Sequence, residues 1–120
     1  MTVPRALSVE ELVTDYVYRY HHKLYPVVDD GRMVGCVTTR NIRDVPRDEW
    51  NRTTVGAIAS ACSEANTISP DSDVLEALRR MNQNRSSRLI VVSGERPVGI
   101  LSLQDLLRFL SVKIELEEAR

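Results

Sequence analysis

One stretch of this chain occurs twice. Residues 25 to 42 read YPVVDDGRMVGCVTTRNI, and residues 89 to 106 read LIVVSGERPVGILSLQDL, a gapless match at an offset of 64 positions. Val27, Val28, Arg32, Val34 and Gly35 recur as Val91, Val92, Arg96, Val98 and Gly99, and Thr38, Asn41 and Ile42 become Ser102, Asp105 and Leu106. An ordered repeat of this length means two copies of one supersecondary unit, which restricts the fold more than any single residue does.

Each copy has the same coarse plan. A helical stretch opens it. In the first copy Ser8 and Glu11 form an S-x-x-E capping box, and Leu12, Val13, Tyr16, Val17 and Tyr20 follow on one broad face. In the second, Val74, Leu78 and Met81, with Leu75, take helical spacing, and Ser69, Asp71 and Ser72 are candidate N-caps after which Pro70 suits a helix start. Two apolar strands follow, Tyr25 to Val28 and Met33 to Val37, then Leu89 to Val92 and Val98 to Leu101. Asp29-Asp30-Gly31 and Ser93-Gly94-Glu95 supply the turns. A closing helix starts near Thr38 and Ser102. Residues 66 to 69, NTIS, read as a further short strand leading into the second copy.

The fold class expected is therefore α+β, two small sheet-plus-helix repeats related by pseudo-twofold symmetry. The first repeat spans 1–46 with no leading strand legible, a linker 47–60, and the second repeat 61–120. The expected sheet core is Val27, Val28, Val34, Val91, Val92, Val98 and Leu101. Two strands per copy cannot close a core alone, so the copies are expected to pack together.

Composition narrows the function. The 120 residues are 42% hydrophobic and 28% charged with a formal net charge of −1, a globular balance that gives no basis for nucleic-acid binding. No apolar run approaches the ~20 residues of a membrane helix, so no direct membrane insertion is expected. The opening MTVPRALSVEE has no secretory pattern. Cys36 and Cys62 form no CxxC; Cys36 lies in an apolar run and reads as a buried small hydrophobe, and a cytoplasmic location fits.

The chemistry sits in Gly-apolar-apolar-Thr/Ser-x-x-Asp/Asn, present as Gly35-Cys36-Val37-Thr38-Thr39-Arg40-Asn41 and again as Gly99-Ile100-Leu101-Ser102-Leu103-Gln104-Asp105. A strand running into a helix N-terminus brings backbone N–H groups and the positive dipole end to one spot, which favours phosphate. The Thr38 or Ser102 hydroxyl can add a hydrogen bond. A carboxylate one turn on, Asp105, can accept from two vicinal ribose hydroxyls. Gly35 and Gly99 allow a ligand or a neighbouring backbone to approach. Ser/Thr-x-x-acid is also a plain capping box, and that reading stays open.

On this motif, repeated at fixed offset, the sequence resembles the CBS-domain family over nearly its whole length. The resemblance implies a non-catalytic regulatory module holding an adenosine-containing ligand (AMP, ADP, ATP or S-adenosylmethionine) in a cleft between repeats, with no cofactor required. Thr67, Ile68, Val91 and Arg88 are assigned to the same ligand site as Ser102, Asp105 and Gly99, and Thr38, Asn41 and Gly35 to its counterpart. Residues 7 to 50, with Val45-Pro46-Arg47-Asp48-Glu49-Trp50 as the most telling run, are similar to CBS pairs appended to site-2-type intramembrane zinc metallopeptidases. That implies a parent membrane protease domain as partner; no HExxH is present in this chain.

Asn41 departs from the family's acid, so its site is expected to be the weaker. The competing function is a structural dimerisation module with empty clefts. Leu103, Leu106, Leu107, Leu110 and Ile114 form an apolar stripe in which Leu106, Leu110 and Ile114 extend further than a two-repeat core needs, so a homodimer is expected, the alternative being an interface with the parent chain. His21 and His22, adjacent on a helix, point about 100° apart and make a poor ligand pair. Arg79, Arg80, Arg85 and Arg88 read mainly as a solvated basic face, with Arg85 or Arg88, just before the strand, able to reach a ligand phosphate, and Asp29-Asp30 reads as a turn.

Overall fold

The computed structural model describes residues 1–61, 63 and 66–118. Cys62 lies outside the described residues. The chain divides into two compact units, Met1–Cys62 with Glu95–Pro97, and Ser63–Gly94 with Val98–Arg120.

The first unit opens on β1 (Val3–Pro4), followed by α1 (Val9–Leu12), a π-helical turn over Val13–Val17, and α2 (Tyr18–Tyr20). Strands β2 (Leu24–Asp29) and β3 (Arg32–Thr38) lead to α3 (Thr39–Arg43), a 3₁₀ turn at Arg47–Glu49 and α4 (Val55–Ile58). The second unit repeats the plan with β4 (Thr67–Ile68), α5 (Val74–Asn84), β5 (Arg88–Ser93), β6 (Arg96–Ser102, whose first two residues fall in the first unit) and α6 (Leu103–Glu117). Each sheet has three strands, in the orders β1-β2-β3 and β4-β5-β6. The leading strand pairs parallel in both, Val3 with Val27 and Ile68 with Val91. The fold is α+β, two small sheets with helices, and the first repeat does possess the leading strand that its sequence concealed.

The repeat is not uniform along its length. Ser8 caps the first helix and His21 ends it with a left-handed backbone, thirteen positions later. Asp73 and Arg85 play the same parts in α5, twelve positions apart. The first helix therefore contains one additional residue, and the π turn is where a helix absorbs one. Within that turn the Tyr16 carbonyl accepts the Tyr25 hydroxyl at 3.1 Å. Burial pushes the Tyr25 phenol up from its ordinary value.

The first core gathers Val3, Val9, Leu12, Val27, Val37 and Val55; the second gathers Ile68, Ala77, Met81, Leu89 and Leu106. Full burial of a side chain such as Leu12 or Leu89 contributes about 1.5–3 kcal/mol. Residues 47–60 are more than a connection, because Val55 is wholly buried in the first core. Trp50 is fixed there too: its indole N–H donates to the Val45 carbonyl at 3.0 Å, and Arg47 lies over its ring at 4.9 Å.

Four expectations need correction. Val34 is 46% exposed and Val98 56% exposed, rather than core. In β3 the cause is a bulge: Val27 pairs with Gly35 and Val28 with Met33, so Val34 is the additional residue and turns outward. Val28, Val91, Val92 and Leu101 are only partly buried. Leu75 is 76% exposed, because Ala77 and Met81 define the buried side of α5. The N-cap of that helix is Asp73, which accepts from the Glu76 N–H at 2.9 Å. Ser69, Asp71 and Ser72 instead form the preceding turn, with the Asp71 N–H on the Ser69 hydroxyl and the Ser72 N–H on the Ser69 carbonyl.

Candidate functional site

The two copies of the motif sit at equivalent places, each where a strand ends and a helix starts. Thr38 is the N-cap of α3 and Ser102 the N-cap of α6, both with extended backbone. Each forms a reciprocal capping box with the residue three positions on.

In the first unit the motif closes on itself. The Asn41 N–H donates to Thr38 Oγ1 at 3.2 Å, while Asn41 Oδ1 accepts both the Thr38 N–H at 2.9 Å and the Thr38 hydroxyl at 3.0 Å. The one acceptor oxygen of the amide is thus doubly engaged, and α3 is only five residues long. The space before Gly35 is filled by the chain itself. A β-carbon built there would lie 2.6 Å from the Ser60 carbonyl oxygen and 3.3 Å from the Ala59 Cβ. Cys36 and Ser60 exchange backbone bonds of 2.9 and 2.7 Å, which bury Cys36. Of the two roles open to Gly35, close approach of neighbouring backbone is the one realised.

The second unit is looser. The Asp105 N–H donates to Ser102 Oγ at 3.1 Å and Asp105 Oδ2 accepts the Ser102 N–H at 3.3 Å. Hydrogen bonding to the carboxyl, from the Ser102 side chain first and its backbone N–H second, holds Asp105 below the ordinary aspartate range. It is ionised at neutral pH and exposed. Nothing among the described residues lies within 4 Å of a β-carbon built on Gly99. Helix α6 runs fifteen residues, so its terminus carries a developed dipole.

The helix start is less open than the motif suggested. The Leu103 N–H donates to the Ser87 carbonyl at 2.8 Å and the Asp105 N–H to Ser102, so two first-turn donors already have acceptors. Thr39 is tied the same way to the Lys23 carbonyl at 3.1 Å. Arg88 is brought near by that tether: its Nη1 donates to Ser87 Oγ at 3.3 Å.

The remaining candidates line up on β4 and β5. Thr67 pairs with Ile90, and Ile68 with Val91. Ile68 is buried at 4% exposure, so its side chain serves the core and it has only backbone to offer a ligand. Val91 packs partly against the same core. Arg80, read from the sequence as part of a solvated basic face, has a structural role here. Its guanidinium, held by Glu76 at 2.9 Å, donates to the Thr67 carbonyl at 2.6 Å and fixes the end of β4. The local signal was the Glu76–Arg80 spacing of four on a helix. Arg79 and Arg80 together hold the Glu76 carboxyl below its ordinary value, Arg79 foremost. Arg85 ends α5 with φ of 51°. His21 ends α2, and His22 stacks near Tyr20 at 6.5 Å, so the histidines form no pair of ligands. Asp30 and Gly31 take φ of 54° and 80°, as a tight turn requires.

Against known proteins, the chain matches the CBS-domain family over residues 1–48 and again over 55–112. It belongs to the CBS-domain family. As a CBS pair it is a regulatory module. It is 34% identical over 113 residues to the protein named zinc metalloprotease Rip3 of Mycobacterium tuberculosis. It is 32% identical over 112 residues to zinc metalloprotease MJ0392 of Methanocaldococcus jannaschii. These alignments cover 92% and 93% of the chain but 29% of either relative. Among solved structures, the cytosolic domain of the Mg²⁺ channel MgtE in complex with ATP superposes with a TM-score of 0.76 at 26% identity. That likeness covers 91% of the CBS pair and 44% of the MgtE chain. No helix among the described residues is long and apolar enough to cross a membrane.

Proposed function

We propose that this CBS pair is the cytoplasmic adenosine-ligand sensor of a membrane zinc metalloprotease, and that its working site is the one built on Ser102 and Asp105. The observation that carries this reading is the ionised, exposed Asp105 beside an open Gly99 at the start of a long helix. A carboxylate there can accept charge-assisted hydrogen bonds from the two ribose hydroxyls. Thr67, Ile68 and Val91 would meet the base, Ile68 through its backbone, and Arg88 the phosphate. Thr38, Asn41 and Gly35 form the weaker counterpart. The ATP complex of MgtE and the metalloprotease names of the relatives support the ligand class and the parent protein respectively. In this reading the partners are an adenine nucleotide, a second copy of the chain in a homodimer, and the parent membrane domain.

A second reading has its own observation. Both motifs are complete capping boxes, which is what a structural dimerisation module with empty clefts would also show. A thermal-shift screen of AMP, ADP, ATP and S-adenosylmethionine separates the two. A ligand that binds only the folded chain at 100 times its Kd adds about 2.7 kcal/mol and raises Tm. No shift with any of the four at millimolar concentration would favour the structural module.

A further inference from the structure

The repeat shows what is missing from the edge of β6. In the first unit the outer edge of β3 is covered: Ala59 and Ser60 run antiparallel along it, Ser60 bridges Cys36, and Gly35 is the position that lets them approach. The segment is held by Val55 and Gly56, whose N–H groups donate to the Leu7 and Arg5 carbonyls at 2.7 and 2.9 Å. Sixty-four residues on, the matching positions are Gly99 and Ile100. There β6 is the edge of its sheet, Gly99 faces open space among the described residues, and Ile100 is half-exposed where Cys36 is buried. An exposed edge strand presents unpaired backbone groups that template another strand.

We infer that the Val98–Ile100 edge of β6 is a docking site for an extended polypeptide segment with small side chains opposite Gly99, of the kind that Ala59–Ser60 forms on β3. The occupant assigned is a segment of the parent polypeptide outside these 120 residues; the chain spans only 29% of either curated relative, and on that point alone the inference rests on the proposed parent protein. Strand addition supplies the affinity through main-chain bonds at Ile100, and glycine supplies the selection. Any side chain at position 99 would strike the incoming carbonyl, as one at position 35 would strike Ser60. Gly99 borders the proposed nucleotide site as well, and the Asp105 variant separates the two.

The test uses the 120-residue chain and a synthetic peptide with the sequence of residues 55–61, VGAIASA. Amide exchange is followed by NMR. The expected result is that the peptide slows exchange at Ile100 by about tenfold or more, that Gly99→Val abolishes the effect, and that Asp105→Ala preserves it. Gly99→Val should fold normally, since a β-carbon there meets nothing within 4 Å; its unchanged far-UV spectrum and Tm check this. An Ile100 amide indifferent to peptide overturns the site. Protection that rises with protein concentration alone overturns the assigned occupant and makes a second copy the partner. Loss of peptide binding in Asp105→Ala would show that the edge and the nucleotide site are one.

Discussion

Gly35 and Gly99 occupy the same place in the repeat and live in opposite surroundings. One is wedged under the Ser60 carbonyl, the other faces open space among the described residues. The same contrast runs through the motif that follows each. Asn41 is half-buried and its single acceptor oxygen takes two bonds from Thr38, while Asp105 is exposed and charged. One copy of the motif is closed against its own chain, and the other stands exposed. A motif match therefore gives position, and the surroundings decide use.

The largest expected effect is on stability at the two glycines. Gly35→Ala forces backbone apart at a contact of 2.6 Å, and overpacking of this kind costs about 1–3 kcal/mol or more. Gly99→Ala meets nothing, and should be neutral or stabilising by about 0.4–1 kcal/mol through the unfolded chain. Urea unfolding of the pair measures both. Equal losses would erase the contrast between the copies.

Capping comes next. Thr38→Ala and Ser102→Ala should each cost about 1 kcal/mol, with Thr38 the larger because its hydroxyl also donates to Asn41. The same urea titrations rank them, and a larger cost at Ser102 would contradict the tighter closure assigned to the first copy.

The smallest effect is on pH dependence. Asp105 titrates below the ordinary aspartate value because the folded state favours its charged form. Its contribution is therefore complete above the unfolded value of about 3.9 and fades only as pH falls through the lower folded value. Asn41 does not titrate, so the first cap is indifferent to pH. NMR titration of the Asp105 carboxyl should give a midpoint below that of a free aspartate, with nothing changing between pH 5 and 8. A raised midpoint would mean that the carboxyl is desolvated rather than capped.

Much of this was legible in the sequence because it is local. Ser8, Thr38 and Ser102 announce helix starts through the residue three positions on, and the β2–β3 and β5–β6 turns are announced by their glycines. The strand at Thr67–Ile68 was legible from its flanking polar residues. What escaped was non-local or out of step. Val3–Pro4 is too short to show a period, and forms a strand only because β2 offers an edge. The exposure of Val34 depends on a bulge that a gapless alignment cannot reveal. The additional residue of the first helix lies upstream of the aligned block and surfaces as a π turn. The covering of Gly35 by Ala59 and Ser60 joins positions 24 and 25 apart, and nothing at either place predicts it. The paired motif was legible, and the proposed inequality of its two copies rested in the sequence on Asn41 alone, because the surroundings of Gly35 and Gly99 are set by residues far along the chain.

The measurement closest to the centre is isothermal titration of the best adenosine ligand into the parent chain, Asp105→Ala and Asn41→Ala. One dominant site in the parent, weakened tenfold or more in Asp105→Ala (about 1.4 kcal/mol) and unchanged in Asn41→Ala, is the predicted result. Asn41→Asp should add a second site only if the rest of that pocket is intact. Parent-like binding by Asp105→Ala would contradict the reading: Ser102 and Asp105 would then be a helix cap and nothing more.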